Sequence, residues 1–199
     1  LSFALALRRP YLDLFRAALG QRGGRGRLEL DLRSVEVVVE ALSSRDTQQA
    51  VAAIDLLAAS RRTRLIPALI LYHESTDVLL RALEVLPERE RTDWVPLAER
   101  LLGHDQEAVR AAALEALAQT GHHEVVKGRL LDISPWVRAH AAFWLVHTAP
   151  DARPRDDASI RLILEMPSSG GLEARVGLLE AIEASGDGRW ADLLLELAD

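Results

Sequence analysis

Apolar residues recur along this chain with the spacing of amphipathic helices, and one pattern of apolar and charged residues repeats about every thirty residues. The pattern is clearest in residues 105–117, Asp-Gln-Glu-Ala-Val-Arg-Ala-Ala-Ala-Leu-Glu-Ala-Leu. The central apolar residue of each copy, here called its anchor, is Ile54, Leu83, Leu114, Ala142 or Leu179. The anchors are separated by 29, 31, 28 and 37 residues. A nearly fixed period of this size is typical of a helical solenoid, in which each unit buries its apolar face by stacking on its neighbours.

Within each repeat the apolar spacing predicts a pair of helices. The expected units span about 34–61, 62–90, 91–121, 122–150 and 156–187, with a partial unit at 188–199. The expected first and second helices of the five units are 34–42 with a helix ending at 59, 64–72 with 75–86, 92–102 with 105–120, 123–131 with 134–147, and 158–165 with 171–185. A last helix is expected over 189–198. Ser44 or Asp46 can cap the second helix of the first unit. Gly121 suits a helix C-terminus and Pro135 a first helical turn. An insertion at 149–157 explains the longest separation.

The first 33 residues differ from the repeats in composition. They predict a helix over about 9–19, a glycine-rich linker at 20–26, and an extended connector or short strand at 28–32. They hold seven Arg and three acids, a net charge of +4, whereas the remaining residues carry −10. Since the chain begins at Leu1, we expect it to be a fragment of a longer protein.

Composition narrows the possible functions. The net charge of −6 argues against a general nucleic-acid-binding protein, which normally has a basic excess. The absence of cysteine excludes disulfides, thiolate metal sites and cysteine nucleophiles. No apolar run reaches the length of about 18 residues that a membrane helix needs. Arginine supplies every basic residue except Lys127, a bias typical of GC-rich bacteria.

The repeated pattern resembles HEAT repeats. The fullest match is carried by Asp105, Val109, Arg110, Ala112, Ala113 and Leu117, the next by Ser134, Val137, Arg138, Ala141 and Leu145, and Arg175 continues the arginine position in the fifth unit. The first two units depart from the pattern, with Ala50 and Leu79 at the arginine position. The resemblance implies an all-α, right-handed α–α superhelix over 34–199, in which these residues are structural. The arginines can bind carboxylates or helix-end carbonyls in the turns.

A second resemblance concerns the start of the chain. Residues 8–19 and 28–32, followed by the repeats, look like the segment after the last membrane helix of bacterial fusion proteins that join a major-facilitator or ADP/ATP-translocase-like domain to HEAT repeats. A basic stretch after a membrane span agrees with a cytoplasmic location. The resemblance implies a non-catalytic, cofactor-free scaffold at the cytoplasmic face of the inner membrane. Its partner would be another protein or a neighbouring domain of the same chain. The alternative is a free-standing cytoplasmic HEAT adaptor similar to phycocyanobilin-lyase-like repeats.

One repeat position is a candidate for partner binding. The residues directly after the anchors are Asp55, Glu84, Glu115, Phe143 and Glu180. The same position in stacked helices forms a line, so four carboxylates interrupted by Phe143 can attract a basic segment of a partner. A solvated surface without a partner explains the same residues.

Histidines raise the third possibility, a metal-dependent HEAT-like hydroxylase resembling deoxyhypusine hydroxylase. Its His-Glu pairs lie at matched repeat positions, but His73-Glu74 and His123-Glu124 do not match, and the equivalent of His73 is His104. His140 and His147 are one heptad apart, which without a third ligand is weak evidence for zinc. We therefore expect no catalytic or metal site. We also expect Trp94, Trp190 and Trp144 to be packing residues.

Overall fold

The fold is all-α, as the sequence predicted. The computed structural model describes residues 32–88, 90–149, 158, 160–161 and 169–190, and this part of the chain contains no β-strand. Its helices are α1 (Leu32–Ala41), α2 (Thr47–Ala59), α3 (Thr76–Val85), α4 (Val95–Leu101), α5 (Glu107–Gln119), α6 (His123–Lys127), α7 (Pro135–His147) and α8 (Ser169–Ser185). Short 3-10 turns cover Thr63–Leu65, Ala68–Tyr72, Gly128–Leu131 and Gly188–Trp190.

The chain divides into two compact units, Leu1–Leu86 and Pro87–Asp199. In the first unit α2 packs against α1 and α3. In the second unit α5 packs against α4 and α7, and α7 packs most extensively against α8. The helices that carry the anchors therefore contact each other directly within each unit, which is the arrangement that a stacked repeat requires.

Four of the five anchors are buried in the core, as the periodicity predicts. Ile54, Leu83, Leu114 and Ala142 are at most 1% exposed. Leu179 is only half-buried, and Leu178 and Ile182 form the buried face of α8 beside it. Small alanines at the same faces allow close helix packing.

The predicted starts and ends of the second helices are largely confirmed. Asp46 caps α2 by accepting a hydrogen bond from the Gln48 backbone N–H at 3.0 Å. Ser134 caps α7 by accepting from the Val137 N–H, and Pro135 occupies the first turn. Gly121 adopts a φ of 90° after α5, a left-handed conformation that glycine reaches without steric cost.

The first helices are shorter than predicted. The helix expected over 64–72 is two 3-10 turns, because Pro67 lacks an N–H and holds Ile66 in an extended conformation with a ψ of 111°. The helix expected over 92–102 begins only at Val95, with Pro96 in its first turn. The helix expected over 123–131 tightens to a 3-10 turn at Gly128.

Several predictions lie wholly or mostly outside the described residues. They are the helix, linker and connector at 1–31, the insertion from 150 onward, most of the helix over 158–165, and the last helix from 191. Leu32, which was expected to be extended, is instead the first residue of α1. The unit boundaries predicted from the sequence stay predictions.

Candidate interaction surface

One position in the turns before α2, α3, α5 and α7 has the same structural role although its residue type changes. Ten residues before the anchors stand Ser44, His73, His104 and Asp132. Each side chain accepts a hydrogen bond from the backbone N–H two residues later, at 3.0–3.1 Å, the donors being Asp46, Ser75, Gln106 and Ser134. These bonds satisfy backbone groups of the turn and fix the approach to the helix. The sequence pattern alone did not reveal this position, because its shared property is only a short side-chain acceptor.

The role of this position accounts for two of the histidines that suggested a metal site. His73 Nδ1 accepts from the Ser75 N–H, and its Nε2 lies 3.2 Å from the Ser44 carbonyl oxygen. Nε2 therefore carries the proton and donates, so both ring nitrogens are engaged in holding the turns. Among the described residues no group of three or more His, Asp or Glu side chains is placed to hold a metal ion.

Two of the three repeated arginines, Arg110 and Arg138, donate hydrogen bonds to carbonyl groups in the turns. Arg110 Nη1 donates to the His104 and Asp105 carbonyls at 2.9 and 3.1 Å. Arg138 Nη1 donates to the equivalent carbonyls of Asp132 and Ile133 at 2.8 and 3.3 Å. Val109 and Val137, which precede these arginines, are fully buried, while Asp105 and Arg175 are exposed.

The turn position also links neighbouring repeats. Asp132 accepts two hydrogen bonds from Arg110 of the preceding repeat. In the first unit, where Ala50 stands at the arginine position, His73 donates to the carbonyl of Ser44 in the preceding repeat instead. Successive repeats are therefore connected by an arginine–carboxylate ion pair in the second unit and by a neutral hydrogen bond in the first.

A hydroxyl group recurs at one position near the carboxyl-terminal ends of α2, α5, α7 and α8. Six residues after the anchor stand Ser60, Thr120, Thr148 and Ser185. Each hydroxyl donates to a carbonyl of the preceding turn of its own helix, at 2.6–3.2 Å. Some of the carbonyls that a helix end leaves without an intrahelical partner are satisfied in this way.

In the first unit the candidate partner-binding carboxylates share one arginine. Arg81 Nε donates to Asp55 Oδ1 at 2.6 Å, and its Nη1 donates to Glu84 Oε2. The side chains of Asp55 and Glu84 remain 46% and 61% exposed. The three side chains leave one net negative charge on the outer surface of α2 and α3.

In the second unit the same position holds residues with different surroundings. Glu115, half-buried, accepts from the Gln119 side chain at 3.0 Å. Glu180 is exposed and accepts from Trp136 Nε1 at 2.7 Å. Phe143 is fully buried and therefore presents no side chain to a partner. Whether the carboxylates bind a partner stays a prediction.

Phe143 instead belongs to an aromatic cluster. Its ring lies 4.6 Å from Trp190, 5.1 Å from Trp144 and 5.2 Å from His147, measured between ring centroids. Trp144 and Trp190 are at most 3% exposed, and Trp94 is fully buried. The prediction that these three tryptophans are packing residues is confirmed.

A cleft of about 440 Å³ opens beside this cluster, within the second unit. It is bordered by the carboxyl-terminal parts of three helices: α5, α7 and α8. Its lining comprises Glu115, Ala118, Gln119, Gly121, His123, Trp144, His147, Thr148, Ala184 and Ser185. Glu115 is the one candidate carboxylate that lines it. No sequence signal identified this cleft, because its wall is assembled from three repeats.

Comparison with known proteins supports the repeat assignment. Residues 68–129 match the family model described as HEAT repeats, and this segment contains both the Asp105–Leu117 motif and the His73 and His104 turns. Neither the comparison with curated proteins nor that with solved structures finds a match. The match covers about a third of the chain; together with the stacked helices of each unit, it supports a HEAT-repeat solenoid.

Proposed function

We propose that this chain is a non-catalytic protein-interaction scaffold. One observation carries the proposal: the repeated polar residues divide into two groups with different surroundings. Those of the motif and turns, represented by His73, Arg110 and Asp132, are engaged in intramolecular hydrogen bonds that hold the repeats together. The carboxylates after the anchors also accept hydrogen bonds, but the side chains of Asp55 and Glu84 remain 46% and 61% exposed and Glu180 is exposed, so they face the solvent. HEAT repeats are typical of such scaffolds.

The chemistry of the exposed carboxylates favours a partner with a basic segment. Asp55 and Glu84 already bind a guanidinium group, that of Arg81. Complementary charge on a partner increases association rates and fixes its register on the surface, even where each exposed ion pair adds little affinity. We therefore propose that basic segments bind the second helices, at Asp55 and Glu84 in the first unit and at Glu115 and Glu180 in the second.

Charge reversal tests this proposal. The variant Glu84→Lys/Glu115→Lys is compared with the matched variant Glu36→Lys/Glu99→Lys, which changes net charge equally on the first helices α1 and α4. Each variant of the whole chain is cross-linked to its partners at low and at high salt, and the amount of partner recovered with it is quantified. We expect the first variant to lose partners that the matched variant retains, and the retained binding to weaken as salt rises. Equal capture by both variants would refute a role for the carboxylates.

We further propose that the scaffold is the cytoplasmic HEAT-repeat region of a bacterial transporter-like membrane protein. Residues 8–19 and 28–32, which resemble the segment after the last membrane helix of such fusions, and the net charge of +4 over residues 1–33 support this. In the part of the chain that the structure describes, none of the helices has the length and apolar character that crossing a membrane requires. The proposal therefore concerns a span outside these residues.

The coding sequence upstream of Leu1 tests the location. About a dozen apolar spans ending just before Leu1 would support a transporter-like protein. A start codon or a soluble domain there would refute it and favour the free-standing adaptor, without affecting the scaffold function.

A further inference from the structure

One side of α8 exposes apolar side chains in a regular row. Leu172 is 68% exposed, Val176 is 40% exposed, and Leu179 is half-buried. Their spacing of four and three residues places them on the same side of the helix, one turn apart. We call these three residues the open stripe of α8. Such a row on a helix is typical of a surface that packs against another helix.

In the two preceding second helices of this unit, the equivalent positions are covered by other parts of the chain. Counted from the anchors, the positions of Val176 and Leu179 are at most 4% exposed in α5 and α7, where they hold Ala111, Leu114, Ala139 and Ala142. The contact of α8 with α7 uses a different side of α8, on which Gly177 lies against Trp136. The open stripe is therefore a helix-packing surface of the repeat that remains exposed in α8.

Carboxylates lie at both ends of the open stripe. Glu173 and Glu183 are exposed, and their carboxylates take no part in the hydrogen bonds or ion pairs of the described residues. The charged residues of α8 are these two, Arg175 and Glu180, so three acids and one base give the helix a net charge of −2. The apolar row is thus combined with a negative potential, which attracts a positively charged partner.

This charge decides between the possible occupants of the open stripe. Residues 191–199 contain four leucines, but their charged residues are all acidic: Asp192, Glu196 and Asp199. A second copy of α8 would place a net charge of −2 against another of −2. Because like charges across an interface are unfavourable, both pairings are disfavoured. A helix that combines an apolar row with lysine or arginine matches both properties of the surface.

From these observations we infer that the open stripe binds an amphipathic helix of a partner protein. The apolar residues of that helix pack on Leu172, Val176 and Leu179, as in other complexes in which a helix binds through a row of apolar residues. Its lysine or arginine side chains lie near Glu173 and Glu183. This inference rests on the proposed function, of which it names the chemistry of the partner and one binding site.

The test uses three acetylated and amidated peptides of about 18 residues, which as helices exceed the rise of about 15 Å between Glu173 and Glu183. The first has leucines at the spacing of the open stripe, flanked by lysines. The second has glutamate in place of lysine, and the third has the composition of the first with the leucines moved off one face. Each is titrated into the whole chain while backbone amide shifts are followed by NMR.

We expect the first peptide to shift the amides of residues 172–183 saturably. The glutamate peptide should bind at least about fivefold more weakly, and the third peptide should give no saturable shift at these residues. Equal binding of the first and third peptides, or shifts confined to other surfaces, would overturn the inference. Shifts of the same amides that depend on protein concentration before any peptide is added would show that a second copy covers the stripe, and would also overturn it.

Two variants and a matched control locate the binding site. Leu172→Glu/Val176→Glu should abolish the shifts, whereas Leu131→Glu/Ile133→Glu, which makes the same change on two side chains that are 90% exposed outside α8, should leave binding unchanged. Glu173→Gln/Glu183→Gln removes only charge, so this fold-preserving variant should weaken the lysine peptide about threefold. Unchanged binding in Glu173→Gln/Glu183→Gln, or equal loss in the matched control, would contradict the assigned site.

Partner capture distinguishes this inference from the proposed function. If Leu172→Glu/Val176→Glu captures partners normally while Glu84→Lys/Glu115→Lys does not, the scaffold function stands and the inference about the open stripe fails. If both variants capture partners as well as the unmodified chain does, the proposed function of the carboxylates fails as well.

Discussion

Arg110 of α5 and Asp132, in the turn before α7, form a buried two-point ion pair between adjacent repeats. Arg110 Nη2 lies 2.9 Å from Asp132 Oδ1, and Nε lies 3.1 Å from Oδ2. The two side chains are 10% and 4% exposed. Asp132 Oδ1 also accepts the Ser134 N–H, so one carboxylate closes its own turn and binds the preceding repeat. The conformation of the turn before α7 therefore depends on the position of α5.

Removing one member of this pair should strongly destabilise the second unit. In Asp132→Ala the guanidinium of Arg110 stays buried without its counter-charge, which typically costs about 3 kcal/mol or more of unfolding free energy. The measurement is urea unfolding followed by the fluorescence of the tryptophans. Glu84→Gln is the control, since its exposed pair with Arg81 should contribute less than about 1 kcal/mol.

The double variant Arg110→Met/Asp132→Leu removes both charges and should recover part of the lost stability, because buried apolar pairs replace buried ion pairs at little cost. A loss below about 1 kcal/mol in Asp132→Ala would mean that the pair does not link the repeats energetically.

Gly177 of α8 lies directly against Trp136 of α7. A Cβ at this position would lie 2.7 Å from Trp136 Cδ1 and 2.9 Å from the Trp136 carbonyl oxygen. The oxygen belongs to the backbone of α7 and cannot rotate away, so Gly177→Ala must push the helices apart. We expect a loss of roughly 1–3 kcal/mol despite the better helix propensity of alanine.

Gly128→Ala is the matched control in thermal unfolding, because nothing lies within 4 Å of a Cβ there and its φ is −60°. It should be neutral or slightly stabilising. Similar melting temperatures for the two alanine variants would show that α8 tolerates a shift away from Trp136.

The repeat register made much of the fold predictable. Asp46, Ser134 and Pro135 were assigned to helix starts and Gly121 to a helix end because their local chemistry acts within a few residues, independent of tertiary contacts. The carbonyl contacts of Arg110 followed from the same logic.

Other features depend on contacts that a single stretch of sequence does not reveal. Three such features involve residues from different repeats. They are the burial of Phe143, the hydrogen bond between His73 and Ser44, and the cleft around Glu115. The 3-10 turns around Pro67 were missed for a different reason. The apolar pattern of a helix continues through them, and only the missing N–H of the proline breaks the hydrogen-bond series.

Arg61 occupies a backbone conformation that suits glycine. Its φ is 58°, and it stands seven residues after its anchor, the position that Gly121 and Gly186 occupy with φ values of 90° and 61°. A left-handed conformation costs a non-glycine residue about 1–2 kcal/mol, of which the greater flexibility of unfolded glycine cancels part. Arg61→Gly should therefore raise the unfolding free energy by about 0.5 kcal/mol. Chemical denaturation of the variant measures this, and a clear loss of stability would indicate that the arginine side chain makes a compensating contact.

His140 should make the stability of the second unit dependent on pH. Its side chain is buried against Trp136, with ring centroids 4.2 Å apart, and neither ring nitrogen has a hydrogen-bond partner among the described residues. Burial lowers the pKa of His140 from 6.5 to about 4. Between these values the unfolded chain binds a proton that the folded chain does not. The stability is therefore fully present above pH 6.5 and is lost progressively as the pH falls towards 4.

The shift corresponds to about 3 kcal/mol over the whole interval and to about 2 kcal/mol between pH 7 and pH 5. His140→Phe keeps an aromatic ring against Trp136 but cannot be protonated, so its unfolding free energy should fall by about 2 kcal/mol less than that of the unmodified chain over the same pH range. The comparison of the two proteins cancels the contributions of the carboxylates, which titrate alike in both. Parallel pH profiles would show that the imidazole takes up its proton in the folded state without cost, and that the packing of α7 around it opens readily to water.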